Sequence, residues 1–348
     1  MSAPTSTPTM PEPTLTSTPL PTNTSKPTET LTPLPTSTPT VVVETTPAEL
    51  IKISKNKQTI LKGFKGSALS LAWTKDGKTL YVGTEQSGLI IYDVINKKVL
   101  ANSGNGLQIQ ALALSPDEKT LAVGVANDGS VRFINPKTGD LMKNLSPTHD
   151  NSVQVLTFSP DGKFLASGGD DGQIILWDVA TAKEIKQLHK GDFWVWGLSF
   201  SPDGKSLIAG FDTESTFRVW DTTTWELQRT FSGDFANDLS FSPDGSKFVT
   251  AGGGIHEANI WDFTSEKKLF NLSGLQGWVW AVAYSPDGKY VASGGVGNVV
   301  VVWDANTGNR AYELATGDDF IQTLAYSSDG TKLASGGSEV IIWNMTQP

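Results

Sequence analysis

Ser159-Pro160-Asp161-Gly162 belongs to a short turn motif that this chain repeats seven times. The other six copies are Thr74-Lys75-Asp76-Gly77, Ser115-Pro116-Asp117-Glu118, Ser201-Pro202-Asp203-Gly204, Ser242-Pro243-Asp244-Gly245, Ser285-Pro286-Asp287-Gly288 and Ser327-Ser328-Asp329-Gly330. The aspartates of successive copies lie 41, 44, 42, 41, 43 and 42 residues apart. A fixed period of this length indicates one supersecondary unit copied along the chain, with each copy burying its apolar face against its neighbours.

The composition of the motif predicts a tight β-hairpin. Proline presets φ at the second position, aspartate is tolerated at the third, and glycine accepts the positive φ that closes the turn. Short alternating apolar runs flank the turns, for example residues 153–158 and 164–167, and this alternation predicts strands. No stretch of the chain shows a sustained helical period.

A second motif follows the same period and ends each unit. Its copies are Tyr92-Asp93, Ile134-Asn135, Trp177-Asp178, Trp220-Asp221, Trp261-Asp262, Trp303-Asp304 and Trp343-Asn344. With both motifs in phase over residues 50–348, the chain resembles the WD-repeat β-propeller family. The resemblance implies an all-β fold, a seven-bladed propeller with four antiparallel strands in each blade.

The position of the last motif predicts how the ring closes. Only four residues follow Trp343-Asn344, so the last blade lacks an outer strand on that side. Residues 58–63, before the first turn, have no earlier strands with which to pair. We expect this N-terminal strand to complete the last blade, because a closed ring leaves no open sheet edge there.

Size and charge bound the class of protein. The resemblance places one propeller domain at residues 48–348, and the 34 glycines suit its many turns. The chain has no cysteine, so disulfides, thiolate metal sites and cysteine nucleophiles are excluded. Its formal net charge is −9 and its lysines and arginines are scattered, so we expect no nucleic-acid partner.

Residues 1–47 have a different composition. They contain 16 threonines and 11 prolines and no aromatic residue. Such a segment cannot bury enough apolar surface to offset its ordering entropy, which predicts a disordered spacer. It is either an expendable tail or a stalk, and it resembles the Thr/Pro-rich stalks of bacterial envelope lipoproteins or O-glycosylated stalks. The second interpretation favours an extracytoplasmic location, although no apolar signal region precedes the tract and no segment approaches membrane-spanning length.

The residues give little support for catalysis. The three histidines, His149, His189 and His256, lie in different repeats, and His256-Glu257 lacks the second histidine of a zinc-protease motif because Ile260 stands there. There is no nucleophile elbow, phosphate-binding glycine loop or calcium-loop series. We therefore expect no enzyme activity, no cofactor and no metal.

The resemblance assigns a structural role to the polar residues of the third blade. In the WD-repeat family a histidine, a serine, an aspartate and the third-strand tryptophan form a buried hydrogen-bond chain. His149, Ser167, Asp171 and Trp177 match this tetrad, and only the third blade has all four residues. The same groups resemble a catalytic triad on paper, but a hydroxyl held by an indole N–H inside a blade is not an exposed nucleophile. Elsewhere we expect apolar packing to stabilise the blades.

Aromatic residues are distributed unevenly among the repeats. The resemblance places two positions flanking the start of each blade's first strand on the top face, near the channel mouth where partners dock. Blades one to three are mainly polar there, whereas blades four to seven carry six aromatics: Trp194, Trp196, Phe235, Trp278, Trp280 and Phe320. Exposed aromatics mark interaction surfaces. The alternative is that these rings pack between blades.

Two functions follow from these observations. The first is a non-catalytic, monomeric scaffold that presents the aromatic residues to a protein or peptide, on a flexible stalk. The second is a ligand-binding or hydrolytic propeller that acts on an extracellular glycan or a small molecule at the channel mouth. Convergent acids with displaced pKa values in the channel would favour the second, and Asp192 and Asp318 are the candidate acids. Basic side chains or a sugar would both suit aromatic rings rimmed by carboxylates.

Overall fold

The fold is a closed ring of seven antiparallel sheets. The computed structural model describes residues 51–52, 57–61, 64–252, 256–317 and 320–346, and this part of the chain contains strands and turns but no helix. Strands are numbered in chain order, and blades 1 to 7 follow the same order. Each blade has four strands, which are called first to fourth from the centre of the ring outwards.

The first strands of the seven blades are β3 (Ala68–Trp73), β7 (Ile109–Leu114), β11 (Val153–Phe158), β15 (Val195–Phe200), β19 (Asp238–Phe241), β23 (Val279–Tyr284) and β27 (Thr323–Tyr326). The second strands are β4 (Thr79–Thr84), β8 (Leu121–Val125), β12 (Phe164–Gly169), β16 (Ser206–Phe211), β20 (Lys247–Ala251), β24 (Tyr290–Gly295) and β28 (Lys332–Gly336).

The third strands, which carry the second sequence motif, are β5 (Leu89–Asp93), β9 (Val131–Ile134), β13 (Gln173–Asp178), β17 (Thr216–Asp221), β21 (Glu257–Asp262), β25 (Val299–Asp304) and β29 (Val340–Asn344). The fourth strands are β6 (Lys98–Ser103), β10 (Leu141–Asn144), β14 (Lys183–Lys190), β18 (Leu227–Ser232), β22 (Lys268–Ser273), β26 (Arg310–Ala315) and β2 (Lys57–Leu61). First strands of successive blades contact one another, including β27 with β3. The predicted fold is therefore confirmed.

An N-terminal strand closes the ring, as the sequence predicts. β2 pairs antiparallel with β29, and Leu61 lies opposite Val340. A further strand was not predicted: β1 (Ile51–Lys52) pairs in parallel with β26 at the outer edge of blade 6, where Ile51 lies opposite Tyr312. Residues 1–47, for which the sequence predicts a Thr/Pro-rich tail or stalk, lie outside the described residues.

Each repeated turn is stabilised by a small hydrogen-bond network. In blade 3 the Ser159 hydroxyl donates to Asp161 Oδ1 at 2.7 Å and accepts the N–H of Phe164 at 3.0 Å. Asp161 Oδ1 also accepts the backbone N–H of Lys163 at 3.1 Å. The hydrogen bond from Ser159 is the main reason why the pKa of Asp161 falls to about 2. The turn therefore needs serine and aspartate as donor and acceptor, which backbone preference alone does not explain.

The second sequence motif, called the Trp-Asp motif here, links the core to the turn that follows the third strand. Trp177 is fully buried, and Asp178 at the strand end accepts hydrogen bonds from the N–H and hydroxyl of Thr181 at 2.7 and 2.6 Å. Alternation along a strand sends adjacent side chains to opposite faces. The tryptophan therefore packs inside while the aspartate fixes the hairpin that leads to the fourth strand.

Glycines in the second strands set the spacing between blades. A Cβ atom on Gly168 would lie 2.6 Å from Val195 Cγ1 of the next blade, and one on Gly124 would lie 2.7 Å from Val153 Cγ1. Such approaches are closer than real Cβ contacts. Equivalent approaches to the next blade recur at Gly83, Gly210 and Gly294, whereas at Gly336 the Cβ of Ala68 in blade 1 would lie at 3.1 Å. The sequence interpretation that glycines serve turns was therefore incomplete. Glycines in the second strands also leave the space into which side chains of the neighbouring blade pack.

We expect a chain that begins at residue 62 to be less stable than the full chain by about 3 kcal/mol or more, because it lacks β2 and leaves β29 as an open edge. The matched control is a chain that begins at residue 48 and keeps β1 and β2. Urea denaturation followed by tryptophan fluorescence measures both. Equal stability of the two truncated chains would contradict ring closure by β2.

Candidate functional site

A cavity of about 690 Å³ occupies the centre of the ring. Two positions flank the start of the first strand in each blade, and the residue at the second of them lines the cavity in every blade. These residues are Leu69, Gln110, Gln154, Trp196, Asn237, Trp280 and Gln322. The end of the cavity at which the first strands begin is called the mouth. It is asymmetric, because amide side chains occupy one side and two tryptophans the other.

Three of the six sequence-predicted aromatics form a row at the mouth. The rings of Trp194 and Trp196 are stacked, with centroids 5.7 Å apart and an interplanar angle of 21°. Trp196 of blade 4 then meets Trp280 of blade 6 at 6.2 Å and 36°. This contact spans blade 5, which has the smaller Asn237 at the equivalent position. The aromatic row is defined here as Trp194, Trp196 and Trp280.

The other three aromatics are exposed on the rim of the mouth. Trp278 is 49% exposed, Phe320 51% and Phe235 37%, while Trp194 at the end of the aromatic row is 44% exposed. Between the paired tryptophans, Val195 and Val279 are buried in the packing of their blades. The valines thus supply the contacts between blades, and the tryptophans on either side face the cavity or solvent.

A carboxylate orients the aromatic row. The indole N–H of Trp196 donates to Asp170 Oδ1 at 2.8 Å, and Gln154 donates through Nε2 to Asp170 Oδ2 at the same distance. Asp170 directly follows the second strand of blade 3. The bond from Trp196 therefore joins blade 4 to blade 3, whereas the bond from Gln154 lies within blade 3. The ring of Trp196 is therefore held by a directional bond as well as by stacking.

A second carboxylate lies deeper, on the first strand of blade 5. Asp238 lines the cavity and accepts the N–H of Val282 from blade 6 at 2.9 Å through Oδ2, and its own neighbour Leu239 at 2.8 Å through Oδ1. Burial raises the pKa of Asp238 to about 6, and these two backbone donors offset only part of that rise.

One polar atom of the aromatic row has no partner. The Nε1–H of Trp280 is buried and makes no hydrogen bond. A buried donor without an acceptor costs about 1–3 kcal/mol. The mouth therefore contains an indole donor that a bound acceptor could satisfy.

The acids named from the sequence are not those that line the cavity. Asp192 is exposed in the loop before Trp194, and Asp318 lies outside the described residues. Asp170 and Asp238 were missed, although a signal was present for Asp238. It occupies the position of Gly197 and Ala281 in the neighbouring repeats, so a carboxylate replaces a small residue there.

The four tetrad residues lie in one buried hydrogen-bond chain. Asp171 oxygens lie 3.0 and 3.1 Å from His149 Nδ1, which must donate because a carboxylate only accepts. Ser167 Oγ lies 2.8 Å from His149 Nε2 and accepts the Trp177 indole N–H at 2.9 Å. Burial raises the pKa of Asp171, but hydrogen bonds from His149, Gln173 and Asp150 outweigh it and hold that pKa below its ordinary value.

Other blades keep only part of this chain. The third-strand tryptophan donates to a second-strand hydroxyl in three of them: Trp261 to Thr250 at 3.1 Å, Trp303 to Ser293 at 2.7 Å and Trp343 to Ser335 at 3.3 Å. The sequence prediction of apolar packing alone outside blade 3 missed these bonds.

Blade 4 has a different polar network, which reaches His189 on the fourth strand of blade 3. Arg218 pairs with Glu214 at 2.8 Å, lies 3.2 Å from His189 Nε2 and covers the ring of Phe211 at 4.5 Å. Burial, together with the charge of Arg218, lowers the pKa of His189. The neutral imidazole can then accept a bond from the guanidinium.

Two features are absent from the part of the chain that the structure describes. No three histidine, aspartate or glutamate side chains there lie in an arrangement suited to a metal ion. Nor does that part of the chain contain a helix with the length and apolarity to cross a membrane.

Comparison with known proteins identifies the repeats. The family model described as "WD domain, G-beta repeat" matches residues 97–135, 139–178, 183–221 and 266–304. Each matched segment begins at or before the fourth strand of one blade and ends with the third strand of the next. Sequence repeats are thus offset from structural blades.

Similar proteins match parts of this chain. The transcription factor unc-37 of Caenorhabditis elegans is 35% identical over 116 residues, which are 32% of this chain and 18% of that protein. An uncharacterized WD repeat-containing protein of Synechocystis is 32% identical over 130 residues, 37% of this chain and 36% of its own length. Cell division cycle 20.4, cofactor of APC complex, from Arabidopsis thaliana is 26% identical over 234 residues, 64% of this chain. The chain covers about half of that relative's length and less of the other two.

The tetrad predicts a graded response to loss of the central hydroxyl. Ser167→Ala leaves both the Trp177 N–H and His149 Nε2 without a partner, and we expect it to cost about 2–4 kcal/mol of unfolding free energy. Ser293→Ala in blade 6 leaves only the Trp303 N–H unpaired, so about 1–2 kcal/mol is expected. Chemical denaturation measures both. A loss at Ser167 no greater than that at Ser293 would contradict a structural role for the tetrad.

The raised pKa of Asp238 predicts a pH-dependent stability. The folded protein keeps the proton up to about pH 6, whereas the unfolded chain releases it near the ordinary value of 3.8. Stability from this group is complete below pH 4 and is lost as pH rises through 6, by on the order of 3 kcal/mol. Asp238→Asn does not titrate, so wild type should lose stability relative to this variant between pH 4 and 7. A constant difference between the two denaturation profiles would contradict the assignment.

Proposed function

Because this chain is a WD-repeat β-propeller, we propose that it is a non-catalytic protein- or peptide-binding scaffold whose contact surface is the mouth of the central channel. The surface consists of the aromatic row with the exposed rings of Phe235, Trp278 and Phe320. Such relatives as the Arabidopsis protein, named as a cofactor of a complex, agree with a binding role.

The exposure of large aromatic rings carries this proposal. Four of them are between 37% and 51% exposed, and all come from blades 4 to 7. Exposed tryptophan is costly to leave in water and supplies a large share of the binding energy at protein interfaces. A fold that only needed packing between blades would bury these rings, as it buries Val195 and Val279.

The hydrogen bonding of the mouth carboxylates supports a role for them in shaping the binding surface. Both oxygens of Asp238 accept backbone N–H groups, and both oxygens of Asp170 accept side-chain donors. In this arrangement the acids hold the surface in shape.

A second candidate function is the binding of a glycan or small molecule at the mouth. The observation that favours it is the amide set opposite the aromatic row: Gln110, Gln154 and Gln322 line the same cavity. Planar amides and tryptophan faces together suit sugar rings and their hydroxyls.

The proposal extends to the N-terminal segment. Residues 1–47 form a Thr/Pro-rich spacer that holds the propeller away from an attachment point, which we place outside the cytoplasm. The composition of this segment is the support for that part of the proposal.

Replacing the exposed rings tests the proposed surface. The partner is first recovered by capture from native extract and then purified. Trp194→Ala combined with Trp278→Ala should lower the affinity for this partner by tenfold or more. The melting temperature should change little, because both side chains are largely exposed. Leu141→Ala with Met142→Ala, on the exposed fourth strand of blade 2, is the matched control and should leave binding unchanged.

Two outcomes would contradict the proposal. Unchanged partner affinity in the tryptophan double variant would place the interface elsewhere on the ring. A collapse of thermal stability in the same variant would show that these rings pack in the core.

A further inference from the structure

We propose that the mouth of the channel binds the side chain of an arginine or lysine of the partner, against the faces of Trp196 and Trp280 and beside the carboxylates of Asp170 and Asp238. This inference rests on the proposed function and adds the chemistry of the residue that is recognised.

The charges around the cavity favour a cation. Two aspartates line it, Asp170 and Asp238, and the described residues of its lining include no lysine, arginine or histidine. The chain as a whole carries a formal charge of −9. A positive group that enters the mouth therefore meets carboxylates that no cation of the lining neutralises, and low-dielectric surroundings strengthen that attraction.

The carboxylates are hydrogen-bonded but not paired with a cation. Asp170 holds neutral donors from Trp196 and Gln154, and Asp238 holds two backbone N–H groups. Each carboxylate oxygen has two lone pairs, so one remains on each oxygen for a guanidinium or ammonium donor. The mouth thus combines fixed negative charge with unused acceptor capacity.

The aromatic row supplies the second element of recognition. The rings of Trp196 and Trp280 meet at 36°, so they form an angled wall rather than a single flat face. Tryptophan is the best partner for a cation over its ring, and such a contact is stronger when it is desolvated. Trp196 is already fixed by Asp170 and by stacking on Trp194, which lowers the entropy cost of binding.

The unpartnered donor of Trp280 is a further polar group that a bound segment satisfies if the indole turns its buried N–H towards the cavity on binding. Its Nε1–H is buried without an acceptor, although Trp280 lines the cavity. A backbone carbonyl oxygen of the bound segment would satisfy this donor. A volume of about 690 Å³ has room for a side chain and the backbone that carries it.

The test uses the full chain and short capped peptides, Ac-Gly-Gly-X-Gly-Gly-NH2, in which X is arginine, lysine or citrulline. Citrulline has nearly the shape of arginine without the charge. Indole N–H signals in a ¹H–¹⁵N correlation spectrum report binding, because the chain has 11 tryptophans and single Trp→Phe variants assign Trp196 and Trp280. Peptide is titrated up to about 10 mM, which detects dissociation constants in the millimolar range.

We expect the arginine and lysine peptides to shift the signals of Trp196 and Trp280 with saturation, and the citrulline peptide to bind at least about fivefold more weakly. Asp170→Asn should remove most of this preference for charge. Asp140→Asn, on the outer side of blade 2, is the matched control and should bind like wild type. Trp280→Phe keeps a ring but loses the N–H, so it should lower the binding affinity for all three peptides by a similar factor.

Three outcomes would overturn the inference: no shift with arginine or lysine peptide at about 10 mM, equal affinity for arginine and citrulline, or saturable shifts with chitotetraose and not with the peptides. The last would assign the mouth to a glycan. Failure here is distinct from failure of the proposed function, because the Trp194 and Trp278 double variant tests partner binding without reference to a basic residue.

Discussion

Every blade depends on its two neighbours, because the apolar faces of each sheet are buried only between blades. Gly168 and Gly124 admit the valines of the following blade at distances that no other residue would allow. No blade of such a ring is stable by itself. The pairing of β2 with β29 completes blade 7 with the segment that leads into blade 1, and so holds the ring closed where β27 contacts β3. The turn networks and the Trp-Asp hairpins hold each sheet in the shape that this packing requires.

The departures from repetition are concentrated in blades 4 to 6. Trp196 and Trp280 occupy positions that carry glutamines in blades 2, 3 and 7, and Asp238 replaces a small residue. Each change costs stability, since Asp238 is partly desolvated and the Trp280 N–H has no partner. Departures that weaken a fold are expected where a surface binds something.

Hydrogen-bond satisfaction also varies around the ring. Blade 3 has the full chain from Asp171 to Trp177, blades 5 to 7 keep the tryptophan and hydroxyl, and blade 4 has the Arg218 network. The hydroxyls of blades 3 and 5 to 7 supply the acceptor that a buried indole N–H needs, whereas the Arg218 network of blade 4 joins other polar groups. The ring tolerates different solutions because apolar packing between blades is common to all of them.

The sequence by itself indicated seven copies of one unit, because two motifs recur in phase at a period near 42 residues, and the resemblance of those motifs to the WD-repeat family gave the propeller fold. The position of the last motif predicted the closing strand. The sequence also located the aromatic residues and the tetrad, since these depend on position within a repeat. Tertiary structure alone decided that Trp196 meets Trp280 across blade 5 and that Asp170 and Asp238 line the same cavity. Those residues lie in different repeats, and their distances depend on how the ring closes rather than on any local pattern.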